Sequence, residues 1–120
     1  MMILVVEDDA DQRQLRTMLL LRGGFETIEA GDKRSAILQA STHRPAAAIV
    51  DLRLPTLDDG LQLVRELKSF NPRIRIIVLT GTSRQKVQGH PGAEMIDEFL
   101  IKPTPSSKLI EVLRSFEASQ

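Results

Sequence analysis

Short, unbroken apolar runs alternate along this chain with stretches of helical period, and few folds accept that alternation. Ile3–Val6, Ala46–Val50 and Ile76–Leu79 are continuous and rich in β-branched or small residues, the pattern of parallel strands covered on both faces. Phe25–Glu29 and Glu98–Ile101 mix charge with apolar residues and suit the borders of a sheet. Between the runs, Leu109, Val112, Leu113 and Phe116 fall at i, i+3, i+4 and i+7, and Leu15, Met18 and Leu19 begin a similar buried stripe. Asp9 with Gln12 resembles a capping box and Gly23-Gly24 a helix stop, so the first helix is expected from about Asp11 to Arg22. Ala36, Ile37 and Ala40 mark a shorter second helix; Leu61, Val64 and Leu67 mark a third, ending before Asn71-Pro72. The order βαβαβαβαβα implies right-handed crossovers and a doubly wound parallel α/β sheet.

At 120 residues and 42% hydrophobic content, the chain suits one domain over 1–120, with no repeat or linker. Lys plus Arg equals Asp plus Glu at 16 each, so no global field draws it to nucleic acid or membrane. Cysteine is absent, which excludes disulfides, thiolate catalysis and Cys-based metal sites and fits the cytoplasm. No apolar run approaches the ~20 residues of a membrane span, and the apolar start runs straight into acids.

Function is carried by the residues at the strand exits. In an open parallel sheet, ligands sit beyond the carboxyl ends of the strands. There the chain places Glu7-Asp8, Asp51, Thr80 and Lys102. An aspartate accepts a phosphoryl group when a metal neutralises the crowded oxygens. Magnesium takes oxygen ligands and keeps several waters, so Asp8, Asp51 and the Arg53 carbonyl are the expected ligands, with Glu7 direct or through water. Lys102 offers a point charge to a phosphate oxygen, and the Thr80 hydroxyl a hydrogen bond to another. Each residue alone has a plainer explanation. Acids after strands cap helices, as Asp9 is expected to do, and Thr80-Gly81 and Lys102-Pro103 are ordinary strand exits. The joint occurrence at four strand ends favours the site. His43 and His90 lack metal-ligand spacing and are read as surface residues.

As an ordered set, Ile3-Leu4-Val5-Val6-Glu7-Asp8-Asp9, Ile49-Val50-Asp51-Leu52-Arg53-Leu54-Pro55, Val78-Leu79-Thr80-Gly81 and Phe99-Leu100-Ile101-Lys102-Pro103 closely resemble the receiver domain of two-component response regulators over the whole chain. The resemblance implies a flavodoxin-like fold with strand order 2-1-3-4-5. It also implies Mg²⁺-dependent phosphorylation of Asp51 by a histidine kinase or phosphotransfer protein, a cis bond before Pro103, and Phe99 as an aromatic rotamer switch. The output would pass to a downstream protein or a fused domain, from a monomer or a phosphorylation-dependent dimer. No turnover of an external substrate is expected.

Two stretches depart from the family pattern. The loop Leu54–Gly60 is one residue longer before its glycine. Gln88-Gly89-His90-Pro91-Gly92-Ala93 lies beyond Thr80 where a fourth helix would continue, and Gly and Pro oppose a helix interior by roughly 1 and 3 kcal/mol. The fourth helix is therefore expected to be short, kinked or mobile. A phosphatase of the haloacid dehalogenase type is the competing enzyme reading; Glu7-Asp8-Asp9 lacks its Asp-x-Asp spacing, and there is no cap domain. A pseudo-receiver that takes no phosphate is opposed by the complete set of site residues. The sequence ends soon after the fifth helix with no output domain, which leaves open a single-domain regulator or a piece of a longer chain.

Overall fold

The computed structural model describes residues 1–119. Strands β1 (Met2–Val6), β2 (Glu26–Ala30), β3 (Ala47–Val50), β4 (Arg75–Thr80) and β5 (Glu98–Ile101) form one parallel sheet in the order β2-β1-β3-β4-β5. Helices α1 (Ala10–Arg22), α2 (Lys33–His43), α3 (Leu57–Phe70), α4 (Arg84–Val87) and α5 (Ser106–Ala118) succeed the strands in turn, and a 3₁₀ turn at Ala93–Met95 precedes β5. The flavodoxin-like order and both border strands are as expected.

The sheet divides the core. Leu4, Val6, Val50, Ile76 and Val78 pack with Ala36, Leu61, Val64 and Leu67 of α2 and α3. Ile3, Val5, Ile49, Ile77 and Leu79 pack with Leu20 of α1 and Leu109, Val112, Leu113 and Phe116 of α5. Both faces of the central strands are buried, so their runs show no polar alternation. Strand limits differ slightly from the sequence reading: Phe25 is buried ahead of β2, and β4 includes both Arg75 and Thr80.

The buried stripe of α1 corrects the sequence reading. Leu15 and Met18 are 56% and 43% exposed, whereas Thr17 and Leu20 are buried. The inward face runs Arg13, Arg16, Thr17, Leu20, again at i, i+3, i+4 and i+7. Arg13 Nη1 donates to the Glu7 carbonyl at 2.7 Å, and Arg16 Nη1 lies 3.5 Å from Glu7 Oε1. Polar groups at the strand end thus orient this helix, turning Leu15 and Met18, which spacing alone would bury, toward solvent, while Leu19 stays half-buried.

The cap of α1 is also only half of the expected box. Asp9 accepts the Gln12 N–H at 2.9 Å, but the Gln12 side chain turns to Lys102 instead of back to Asp9. The reciprocal box lies at α3, between Thr56 and Asp59. Hydrogen bonds from the Thr56 side chain hold the Asp59 carboxyl below its ordinary pKa, and the Ser35 N–H does the same for the α2 cap, Asp32. The fourth helix is short, as expected: one turn, succeeded by Gly89 and Gly92 at φ +86° and +98°, the left-handed region that favours glycine. His43 and His90 are exposed.

Gly60, in the first turns of α3, sits directly against the Leu52 backbone, where a Cβ would collide with the Leu52 carbonyl. Alanine normally stabilises a helix interior relative to glycine by about 1 kcal/mol. Here the sign is expected to reverse. Gly60→Ala should lower unfolding stability by about 2 kcal/mol in urea titration, and unchanged or raised stability would contradict this close approach.

Candidate functional site

The carboxyl ends of β1, β3, β4 and β5 meet at one edge of the sheet, and the residues just beyond them turn their side chains toward a common centre. Asp51 stands in the middle. Its Oδ1 accepts from the Arg53 N–H and from the Thr80 hydroxyl, each at 3.2 Å, and its Oδ2 from Lys102 Nζ at 3.1 Å. Thr80, almost fully buried, also accepts the Thr82 N–H at 3.3 Å, which fixes its hydroxyl toward Asp51. The Arg53 side chain folds across the rim, Nε donating to Thr82 Oγ1 at 3.3 Å.

Lys102 ties the acids together. Its ammonium contacts Glu7 Oε1 at 2.6 Å, Gln12 Oε1 at 2.9 Å and Asp51 at 3.1 Å, which uses all three N–H donors. The Lys102–Pro103 bond is cis, and so is Leu54–Pro55 in the lengthened loop. Glu7 is only 1% exposed, whereas Asp8 is open to solvent. Carboxylate oxygens of Glu7, Asp8 and Asp51 lie within 4.8 Å of one another. An all-oxygen donor set that is part buried and part open, with net negative charge beside a single lysine, fits a hard divalent cation such as Mg²⁺.

The sequence reading places Glu7, Asp8, Asp51, Arg53, Thr80 and Lys102 here, and the fold brings all six together. It misses three. Gln12 enters it only as a capping partner, and Arg13 and Arg16 do not enter at all. The available signal is their position on α1: charges at i and i+3 on the helix next to an acidic strand end face that end.

This chain belongs to the response regulator receiver domain family, which matches residues 3–114. Its fold is that of a receiver domain of a two-component response regulator. Among curated relatives it is similar to the chemotaxis protein CheY of Bacillus subtilis, 26% identical over 112 residues and covering 92% of each chain. It is also similar to the phosphate regulon transcriptional regulatory protein PhoB of Escherichia coli, 32% identical over 118 residues that make up 94% of this chain and 50% of PhoB. A solved CheY-like receiver domain from Methylobacillus flagellatus matches with a TM-score of 0.83 at 27% identity, covering 96% of this chain and 97% of that one. The chain thus spans nearly all of CheY but about half the length of transcriptional regulators such as PhoB. Among the described residues, no helix is long and apolar enough to cross a membrane.

Proposed function

We propose that Asp51 accepts a phosphoryl group from a histidine kinase or histidine phosphotransfer protein, in a Mg²⁺-dependent reaction that switches an output surface. The observation that carries this reading is the convergence of an ammonium, a hydroxyl and a backbone N–H on one carboxylate flanked by two more. One Asp51 oxygen forms the bond to phosphorus as the donor's P–N bond breaks, and the departing imidazole takes up a proton. With acetyl phosphate a P–O bond breaks and acetate leaves. Asp8, Asp51, the Arg53 carbonyl and Glu7, directly or through water, would hold Mg²⁺, whose charge offsets that of the phosphoryl oxygens. Lys102 pairs with one phosphoryl oxygen, giving up part of its present set, and Thr80 donates to another.

Thr80 begins 3.2 Å from Asp51, so the switch needs only a small movement toward the new oxygens. That movement opens space for Phe99, half-buried against the α3 side of the core with the Arg84 guanidinium 5.9 Å from its ring centre. Turning of Phe99 alters the surface of α4, β5 and α5. A coupling of ~3 kcal/mol changes the two-state ratio about 150-fold. The apolar cavity of about 320 Å³ between α1 and α5, lined by Leu15, Leu19, Pro103 and Ile110, borders Lys102 and offers a phosphodonor protein a docking face. The output passes to a downstream protein or a fused domain, from a monomer or a phosphorylation-dependent dimer, in the cytoplasm. No external substrate is turned over.

The test is incubation with acetyl phosphate and Mg²⁺, then intact mass, peptide mapping and a size measurement. One phosphoryl group on Asp51, absent when EDTA is present, is expected. No gain in mass, or a label on another residue, would refute the reading.

A further inference from the structure

Glu7 presents a problem that phosphorylation makes acute. A carboxylate this deeply buried needs a cation beside it, and its shortest contact is the 2.6 Å bond from Lys102. Lys102 is also the group that must turn to a phosphoryl oxygen on Asp51. All three of its N–H donors are already engaged, so any new bond is made at the expense of an old one. Among the described residues, the other Glu7 oxygen, Oε2, accepts only a long bond of 3.5 Å from the Asp9 N–H.

A second cation waits at the same oxygen. Arg16 Nη1 lies 3.5 Å from Glu7 Oε1, close enough for charge pairing, yet it is buried and makes no hydrogen bond among the described residues. The arginine side chain is only 13% exposed. Its neighbour on the same helix face is not in this condition: Arg13 donates to the Glu7 carbonyl at 2.7 Å and pairs with Glu29 at 3.4 Å. Arg16 thus has a desolvated donor, without a hydrogen-bond partner among the described residues, 3.5 Å from a carboxylate oxygen that another cation occupies. Closing to the usual ~2.8 Å of a charge-assisted bond requires well under one ångström.

We infer that Arg16 is a positioning residue that takes over the charge of Glu7 when Lys102 leaves it for the phosphoryl group. The inference rests on the reading of Asp51 as phosphoacceptor. Arg16 touches neither Asp51 nor the incoming group; it acts by freeing Lys102. Without it, a Lys102 that turns to the phosphoryl group by giving up its Glu7 bond leaves that buried carboxylate with no side-chain cation beside it, so transfer slows although every group around Asp51 is intact. Because its charge opposes a cation near Glu7, its removal does not weaken the binding of Mg²⁺.

The experiment is a double-mutant cycle on the full chain. Arg16→Met keeps the volume and removes the charge, Arg16→Lys keeps a charge, and each is made with Lys102 and with Lys102→Ala. Circular dichroism checks folding, calorimetry gives the Mg²⁺ dissociation constant without any phosphodonor, and intact mass gives the initial rate of labelling from acetyl phosphate at saturating Mg²⁺. Arg16→Met is expected to slow labelling on the order of tenfold, with Mg²⁺ binding as tight as in the parent or tighter. Arg16→Lys should recover most of the rate, and in the Lys102→Ala background Arg16→Met should have little further effect. Equal slowing in both backgrounds, failure of lysine to rescue, weakened Mg²⁺ binding, or a parent-like rate in Arg16→Met would each overturn the inference. Absence of labelling in the parent chain would instead remove the phosphoacceptor reading on which it rests.

Discussion

Asp51→Asn is expected to take up no phosphoryl group from acetyl phosphate and Mg²⁺, measured by intact mass over a time course that saturates the parent chain. The amide keeps an oxygen able to accept from Arg53 N–H and Thr80, which hold the present carboxylate at 3.2 Å, so the fold survives. What it loses is the anionic nucleophile. The carboxylates of Glu7 and Asp8 remain within the same cluster but lack the combined hydroxyl, backbone N–H and ammonium contacts that converge on Asp51. Labelling at the parent rate would show that another residue is the acceptor.

Lys102→Ala should have the next largest effect on the chemistry. Removing one preorganised donor aimed at developing charge typically costs roughly 10²-fold in rate, and residual labelling is expected because Thr80 and the acidic cluster persist. The same substitution withdraws a cation from among three carboxylates. Mg²⁺ should therefore bind more tightly even as labelling slows, a pair of opposite changes that a damaged fold would not produce. Calorimetry with Mg²⁺ alone and labelling by intact mass read the two separately. Parallel weakening of both would contradict the role given to Lys102.

Most of the fold is legible in the sequence because both faces of the sheet are buried. Continuous apolar runs such as Ala46–Val50 have one reading in an alternating chain, and charges in Glu26–Glu29 and at Glu98 mark the borders. The site is legible for a related reason, since strand ends in a parallel sheet share one edge and four of them carry complementary groups. The orientation of α1 is not. Apolar spacing puts Leu15 and Met18 inside, but Glu7, itself drawn inward by Lys102, recruits Arg13 and Arg16 to that face. Interaction between a strand end and a helix one turn later is a three-dimensional fact that periodicity does not report. The Thr56–Asp59 cap is hidden because it uses aspartate where the capping-box rule looks for glutamate or glutamine.

The proposed switch requires distant parts of the chain to act as one phosphoryl site coupled to Phe99. Amide NMR spectra recorded before and after addition of Mg²⁺ and beryllofluoride, a mimic of the phosphoryl group, examine this directly. Saturable shifts are expected, centred on Asp51–Arg53, Thr80–Thr82 and Lys102 and extending through Phe99 to Arg84–Val87. Spectra that do not change, or shifts confined to residues away from this edge of the sheet, would contradict the coupled site.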